Sequence, residues 1–102
     1  MIEHRGALEA LERILSRGGE PEEVLEEVVV VLGRLYDRVA LRVVRDGELV
    51  AGPSSGNPLG TASSWDVYLA ETKVGEIEVA PASDEDDAFM RRVATLASPY
   101  FR

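Results

Sequence analysis

Apolar and polar positions along the chain follow two rhythms, one of three to four residues and one of two. In GALEALERILSR, Gly6 to Arg17, Leu8, Leu11, Ile14 and Leu15 recur at helical spacing with Glu9, Glu12 and Arg13 on the other side. This predicts a short amphipathic helix, which Gly18 and Gly19 end by offering left-handed backbone to the last carbonyls. A second helix is expected to follow at once. Pro21 suits a first helical position, Glu22 and Glu23 face the positive end of the helix dipole, and VLEEVVVVLGRLY, Val24 to Tyr36, continues the period. Val24, Val28, Val31, Leu32 and Leu35 make its buried stripe. The β-branched run Val28 to Val31 also suits a strand, but the acidic entry and the spacing on either side favour helix.

From Arg38 the period becomes two, with Val39, Leu41 and Val43 alternating with Ala40, Arg42 and Val44. Asp46-Gly47 supplies a tight hairpin turn, and Glu48 to Ala51 returns as the second strand. The stretch Pro53 to Ser64, dominated by Ser, Gly and Pro, is read as a connection. A second hairpin follows: Trp65, Val67 and Leu69 alternate with Asp66, Tyr68 and Ala70, a turn is placed near Thr72-Lys73, and Gly75 to Ala80 carries Ile77 and Val79. Ser83 and Asp86 resemble a capping box with aspartate in the usual Glu position. Phe89, Val93, Leu96 and Ala97 form the apolar face of a last helix, which Pro99 stops.

The order helix, helix, hairpin, loop, hairpin, helix predicts an α+β fold in one domain, residues 1–102. Its antiparallel four-stranded sheet is made of two hairpins, with the N-terminal and C-terminal helices packed on one face. Val39, Leu41, Val43, Val67, Leu69, Ile77 and Val79 supply the apolar side that such a sheet needs. The opposite face carries Arg42, Asp66, Tyr68 and Glu78 among Ala40, Val44, Val50 and Ala70.

YDRVALRVVRDGELV, VGEIEVA and SDEDDAFMRRVATLA resemble the first hairpin, the late glycine-bearing strand and the acidic-start closing helix of GAF domains. With the two N-terminal helices the resemblance covers most of the chain. It implies a sensory or regulatory module: members of that family bind cyclic nucleotides, chromophores or other small ligands, and many pair through their terminal helices. In the family the segment between early and late strands is long and closes a pocket over the sheet. Here it is the short Pro53 to Ser64, a dozen residues that do not easily enclose a nucleotide-sized ligand. The family also includes methionine-sulfoxide reductases and bilin-binding photoreceptors, whose chemistry depends on cysteine.

Composition narrows the choice. The 102 residues include no cysteine, which excludes disulfides, thiolate ligands and a cysteine nucleophile, so neither of those activities is expected to carry over to this chain. An apolar fraction of 45% with 29% charged residues is that of an ordinary soluble domain, and no apolar run approaches a membrane span. MIEHRGALEALER lacks the pattern of a secretory signal, so a cytoplasmic location is expected. A net charge of −8, with its basic residues dispersed, argues against nucleic acid and anionic membranes as partners. Lys73 is the only Lys, Asn57 the only Asn, and Gln is absent, a bias that suggests a heat-adapted source.

Gly56, Gly60 and the hydroxyls of Ser54, Ser55, Thr61, Ser63 and Ser64 offer an anion nest, but lack the Gly-Lys-Ser/Thr ending of a P-loop, and a solvated loop is the simpler reading. Asp84 to Asp87 lack the spacing of a calcium loop and suit a first helical turn. His4, the only histidine, is assigned to a mobile terminus, and no metal or cofactor is expected. Arg42 and Glu78 are expected as a cross-strand pair on a wet face. These readings lead to a small non-enzymatic GAF-like regulatory or interaction module. It is expected to be a homodimer through Leu8, Leu11, Leu15, Tyr100 and Phe101, open to a protein partner. The alternative is a small-ligand sensor whose shallow site is made by Arg42, Tyr68, Glu78, Ser54 and Ser55. An enzyme stands third, because no convergent acid and base are legible.

Overall fold

The computed structural model describes residues 4–57 and 60–101. Pro58 and Leu59, within the predicted connection, lie outside the described residues. Helix α1 spans His4–Arg17 and α2 spans Pro21–Leu32, joined by the expected glycine pair, with the Gly18 N–H donating to the Ile14 carbonyl at 3.1 Å. α2 is helical through the valine run, as its acidic start favoured, but stops before Tyr36. The Gly33 N–H bonds back to the Val29 carbonyl at 2.8 Å and the chain then turns, leaving Leu35 half-buried and Tyr36 in the interior.

The sheet consists of β1 (Arg38–Arg45), β2 (Glu48–Gly56), β3 (Ser63–Leu69) and β4 (Thr72–Ala80), all antiparallel, in the order β2-β1-β4-β3. Asp46 and Gly47 both take positive φ, 53° and 80°, the backbone that a two-residue hairpin with the natural strand twist requires. Two boundaries differ from expectation. β2 continues past Ala51 to Gly56 and β3 begins at Ser63, so half of the predicted connection is strand. The register skips between Ala40 and Arg42, and this bulge receives Pro53, which has no N–H to give to the ladder of an edge strand. The second turn lies at Ala70-Glu71 rather than Thr72-Lys73, with Ala70 at φ 57° and Leu69 paired to Thr72.

A turn of 3-10 helix, Asp84–Asp86, leads into α3 (Asp87–Ala97), and the capping box of Ser83 with Asp86 forms as expected. The three helices cover one sheet face. Leu11, Val28, Leu32, Val93 and Met90 meet Val39, Leu41, Val67, Ile77 and Val79 in one apolar core. Each such side chain contributes about 1.5–3 kcal/mol when fully buried. The α+β architecture, the four-stranded antiparallel sheet and the helices on one side are as the periodicity predicted.

The chain end corrects a further expectation. Phe101 is 0% exposed, and the Tyr100 hydroxyl donates to the Leu15 carbonyl at 2.8 Å. After α3 a second 3-10 turn, Ser98–Tyr100, folds both aromatics back onto the core instead of leaving them outside. Leu11 is likewise enclosed, and Leu8 and Leu15 pack against the core, so Leu11 and Phe101 have no surface to offer a partner. No helix among the described residues is long and apolar enough to cross a membrane.

Candidate functional site

The sheet face away from the helices is built by strand alternation. Arg42 of β1 lies opposite Glu76 of β4, which in turn lies opposite Asp66 of β3, and Glu78 occupies the next row between Ala40 and Ser64. Direct cross-strand neighbours share a face, so these charges converge. One guanidinium nitrogen of Arg42 donates to Glu78 at 3.2 Å, and the other lies 3.8 Å from Glu76. Lys73 joins because the register shifts between Val67 and Tyr68: Lys73 pairs with Tyr68, Val74 is left over and packs against the core, and the ammonium reaches the open side. There it lies 2.8 Å from Glu76 and 3.1 Å from Asp66. These two carboxylates, Glu76 first, hold the ammonium above its ordinary pKa. The chain Glu78, Arg42, Glu76, Lys73, Asp66 thus runs across three strands, with the Arg42 side chain 36% exposed.

The expected pairing of Arg42 with Glu78 is present, but the other residues assigned to a shallow site do not join it. Tyr68, 51% exposed, stands on β3 outside this network. Ser54 and Ser55 belong to β2, at the other edge of the sheet, and face opposite ways, Ser54 across from Ala40 and Ser55 across from Val39. Ser54, Ser55 and Gly56, read as part of a solvated loop, are instead the end of β2.

Two further groupings of polar side chains, centred on Asp87 and Asp86, lie away from the charged face and from β2. Along the β3 edge a cleft of about 480 Å³ is lined by Asp66, Tyr68, Trp65, Asp87, Arg91 and Thr95. The Trp65 indole donates to one oxygen of Asp87 at 3.0 Å, and the Arg91 Nε–H donates to the other at 2.8 Å. These bonds, that of Trp65 leading, hold the Asp87 carboxyl below its ordinary pKa. The Asp87–Arg91 spacing of four on one helix was readable; the reach of Trp65 across from β3 was not. At the entry to α3, Asp86 is 1% exposed and gathers the Tyr36 hydroxyl at 2.6 Å, the Ser83 N–H at 2.8 Å and the His4 ring at 3.1 Å. His4, expected to be mobile, opens α1 and stacks on Phe89 at 4.3 Å. No group of three or more His, Asp or Glu side chains among the described residues is arranged to hold a metal ion.

Solved structures share this arrangement of helices and strands. fRMsr of Staphylococcus aureus in complex with substrate superposes with a TM-score of 0.81 at 8% identity, covering 100% of this chain and 97% of that one. The free methionine-R-sulfoxide reductase from Neisseria meningitidis in complex with its substrate gives 0.80 at 14% identity, covering 96% and 87%. The reduced form of the staphylococcal protein gives 0.81 at 9% identity, covering 100% and 97%. The fold is GAF-like. No family model matches the sequence, and no curated protein matches it.

These likenesses correct the expectation drawn from the GAF resemblance. The three structures whose fold this chain shares along nearly its whole length are of reductases, two of the three with substrate bound, and not of signalling modules. The reading as a non-enzymatic regulatory or interaction module is therefore set aside, and with it the ligand-sensor alternative. One fold carries many functions, and the site decides among them.

Proposed function

We propose that the protein is a small-molecule enzyme that acts on a free sulfoxide-bearing amino acid at the charged sheet face, with electrons supplied by a separate thiol. The observation that carries this reading is the shared fold with sulfoxide reductases over 96–100% of the chain. The charged face adds support. It is the side of the sheet left open by the helices, where Arg42, Glu76, Glu78, Lys73 and Asp66 converge.

A sulfoxide oxygen carries much of the negative charge of the S–O bond and accepts strong hydrogen bonds. Arg42, fixed between Glu76 and Glu78, would donate to that oxygen and leave the sulfur more open to attack. Asp66 and Glu76 would receive the substrate ammonium beside Lys73. With no cysteine in the chain, the reductant must come from outside. One thiolate attacks sulfur, a second thiol displaces it as a disulfide, and the oxygen leaves as water with two protons. One sulfoxide and two thiols give one thioether, one disulfide and one water.

The test is methionine production from free methionine sulfoxide with dithiothreitol, followed by chromatography for each sulfoxide epimer separately. Turnover above the thiol-only background, at least tenfold lower in Arg42→Ala, supports the reading. A folded wild-type protein that adds nothing to the background overturns it.

A further inference from the structure

Resting on the reading above, we infer that the cleft between β3 and α3 is the binding site of the reductant, a low-molecular-weight thiol that carries a carboxylate. The cleft adjoins the charged face, because Asp66 belongs to both. A chain without cysteine needs a place for the incoming thiol next to its substrate. Of the charged groups lining the cleft, Arg91 is the one that can meet an anion, while the Asp66 carboxylate is paired with Lys73 at 3.1 Å. Both oxygens of Asp87 are engaged, by Trp65 and by Arg91. The bond from Arg91 uses Nε, which orients the guanidinium and leaves its two outer nitrogens as donors for a carboxylate. The Thr95 hydroxyl is turned to the Arg91 carbonyl at 3.0 Å and does not compete. The Trp65 ring supplies an aromatic wall of the kind sulfur favours. At about 480 Å³ the cleft exceeds what a three-carbon thiol acid fills, leaving room for it to approach a substrate on the sheet face. Arg91 binds the carboxylate, and Asp87 is a positioning residue that acts through Arg91.

Trp65 is the only tryptophan, so its emission reports on this cleft without any turnover. Titration with 3-mercaptopropionate is expected to change that emission saturably, with at least fivefold weaker binding in Arg91→Ala and partial recovery in Arg91→Lys. Neutral 2-mercaptoethanol is expected to give no saturable change. In turnover, Arg91→Ala raises KM for 3-mercaptopropionate at least fivefold and leaves KM for dithiothreitol unchanged. Equal binding by wild type and Arg91→Ala, or equal binding of propionate and 3-mercaptopropionate, overturns the inference. If dithiothreitol drives turnover and Arg91→Ala changes neither the binding of 3-mercaptopropionate nor its KM, only the reductant site is wrong. If no thiol drives turnover, the enzymatic reading itself fails, whatever the emission shows.

Discussion

Asp86 keeps a charge in a place that water scarcely reaches, and the reason lies in its three partners. Burial pushes its carboxyl upward, but the Tyr36 hydroxyl, the Ser83 N–H and His4 together outweigh burial and hold it below the usual carboxylate range. Burial and the same carboxylate push the Tyr36 phenol well above its ordinary value. Tyr36→Phe removes one of these donors and is expected to cost about 1–3 kcal/mol in urea unfolding near neutral pH. The sign of the pH dependence follows from the two directions. The depressed Asp86 contributes fully above about pH 4, where the unfolded carboxyl is ionised, and its contribution is lost as pH falls through the lower folded value. The raised Tyr36 contributes fully below about pH 10 and its contribution is lost as pH rises further. The stability gap between wild type and Tyr36→Phe should therefore be widest between those limits and shrink at both ends, which denaturation at a series of pH values would check.

At the level of elements, the chain end and the sheet are fitted by one residue without a side chain. A Cβ on Gly75 of β4 would come 2.3 Å from the Arg42 carbonyl and 2.4 Å from the Phe101 ring. The ring can shift, but the backbone oxygen of the neighbouring strand cannot do so without opening the ladder. Gly75→Ala is expected to destabilise by about 1–3 kcal/mol or more, seen as a lower urea midpoint with little change in slope. Phe101→Ala tests the other side of the contact and is expected to cost about 3–5 kcal/mol. A smaller loss would mean that the last turn contributes little to the core. The bulge that turns Lys73 to the open face acts at the same scale, since without the extra residue at Val74 the ammonium would fall on the apolar side.

Across the whole molecule, a Cα radius of gyration of 12.5 Å matches the roughly 13 Å expected of a folded domain near 100 residues. Among the described residues no buried side-chain nitrogen or oxygen lacks a partner. All three helices share one core, so urea unfolding followed by Trp65 emission and by circular dichroism should give coincident, single transitions. Two separate midpoints would contradict a common core. Period by itself determined the elements: the 3.6-residue stripes of α1, α2 and α3, the alternation of β1 and β4, and the sharp turn at Asp46-Gly47 are local matters of spacing and backbone preference. Alternation also placed Arg42 and Glu78 on one face. What joined His4, Tyr36 and Asp86, or Trp65 and Asp87, was contact between positions as far apart as 82 residues, and no periodicity carries that information. Pro53 and the serines beside it read as loop because their local preferences favour one, yet pairing with β1 drew them into a strand. The sequence determined which faces would be apolar. Only the packing of those faces decided which polar residues would be trapped beneath them and which would meet at the edge of the sheet, because burial and long-range pairing are properties of the assembled chain.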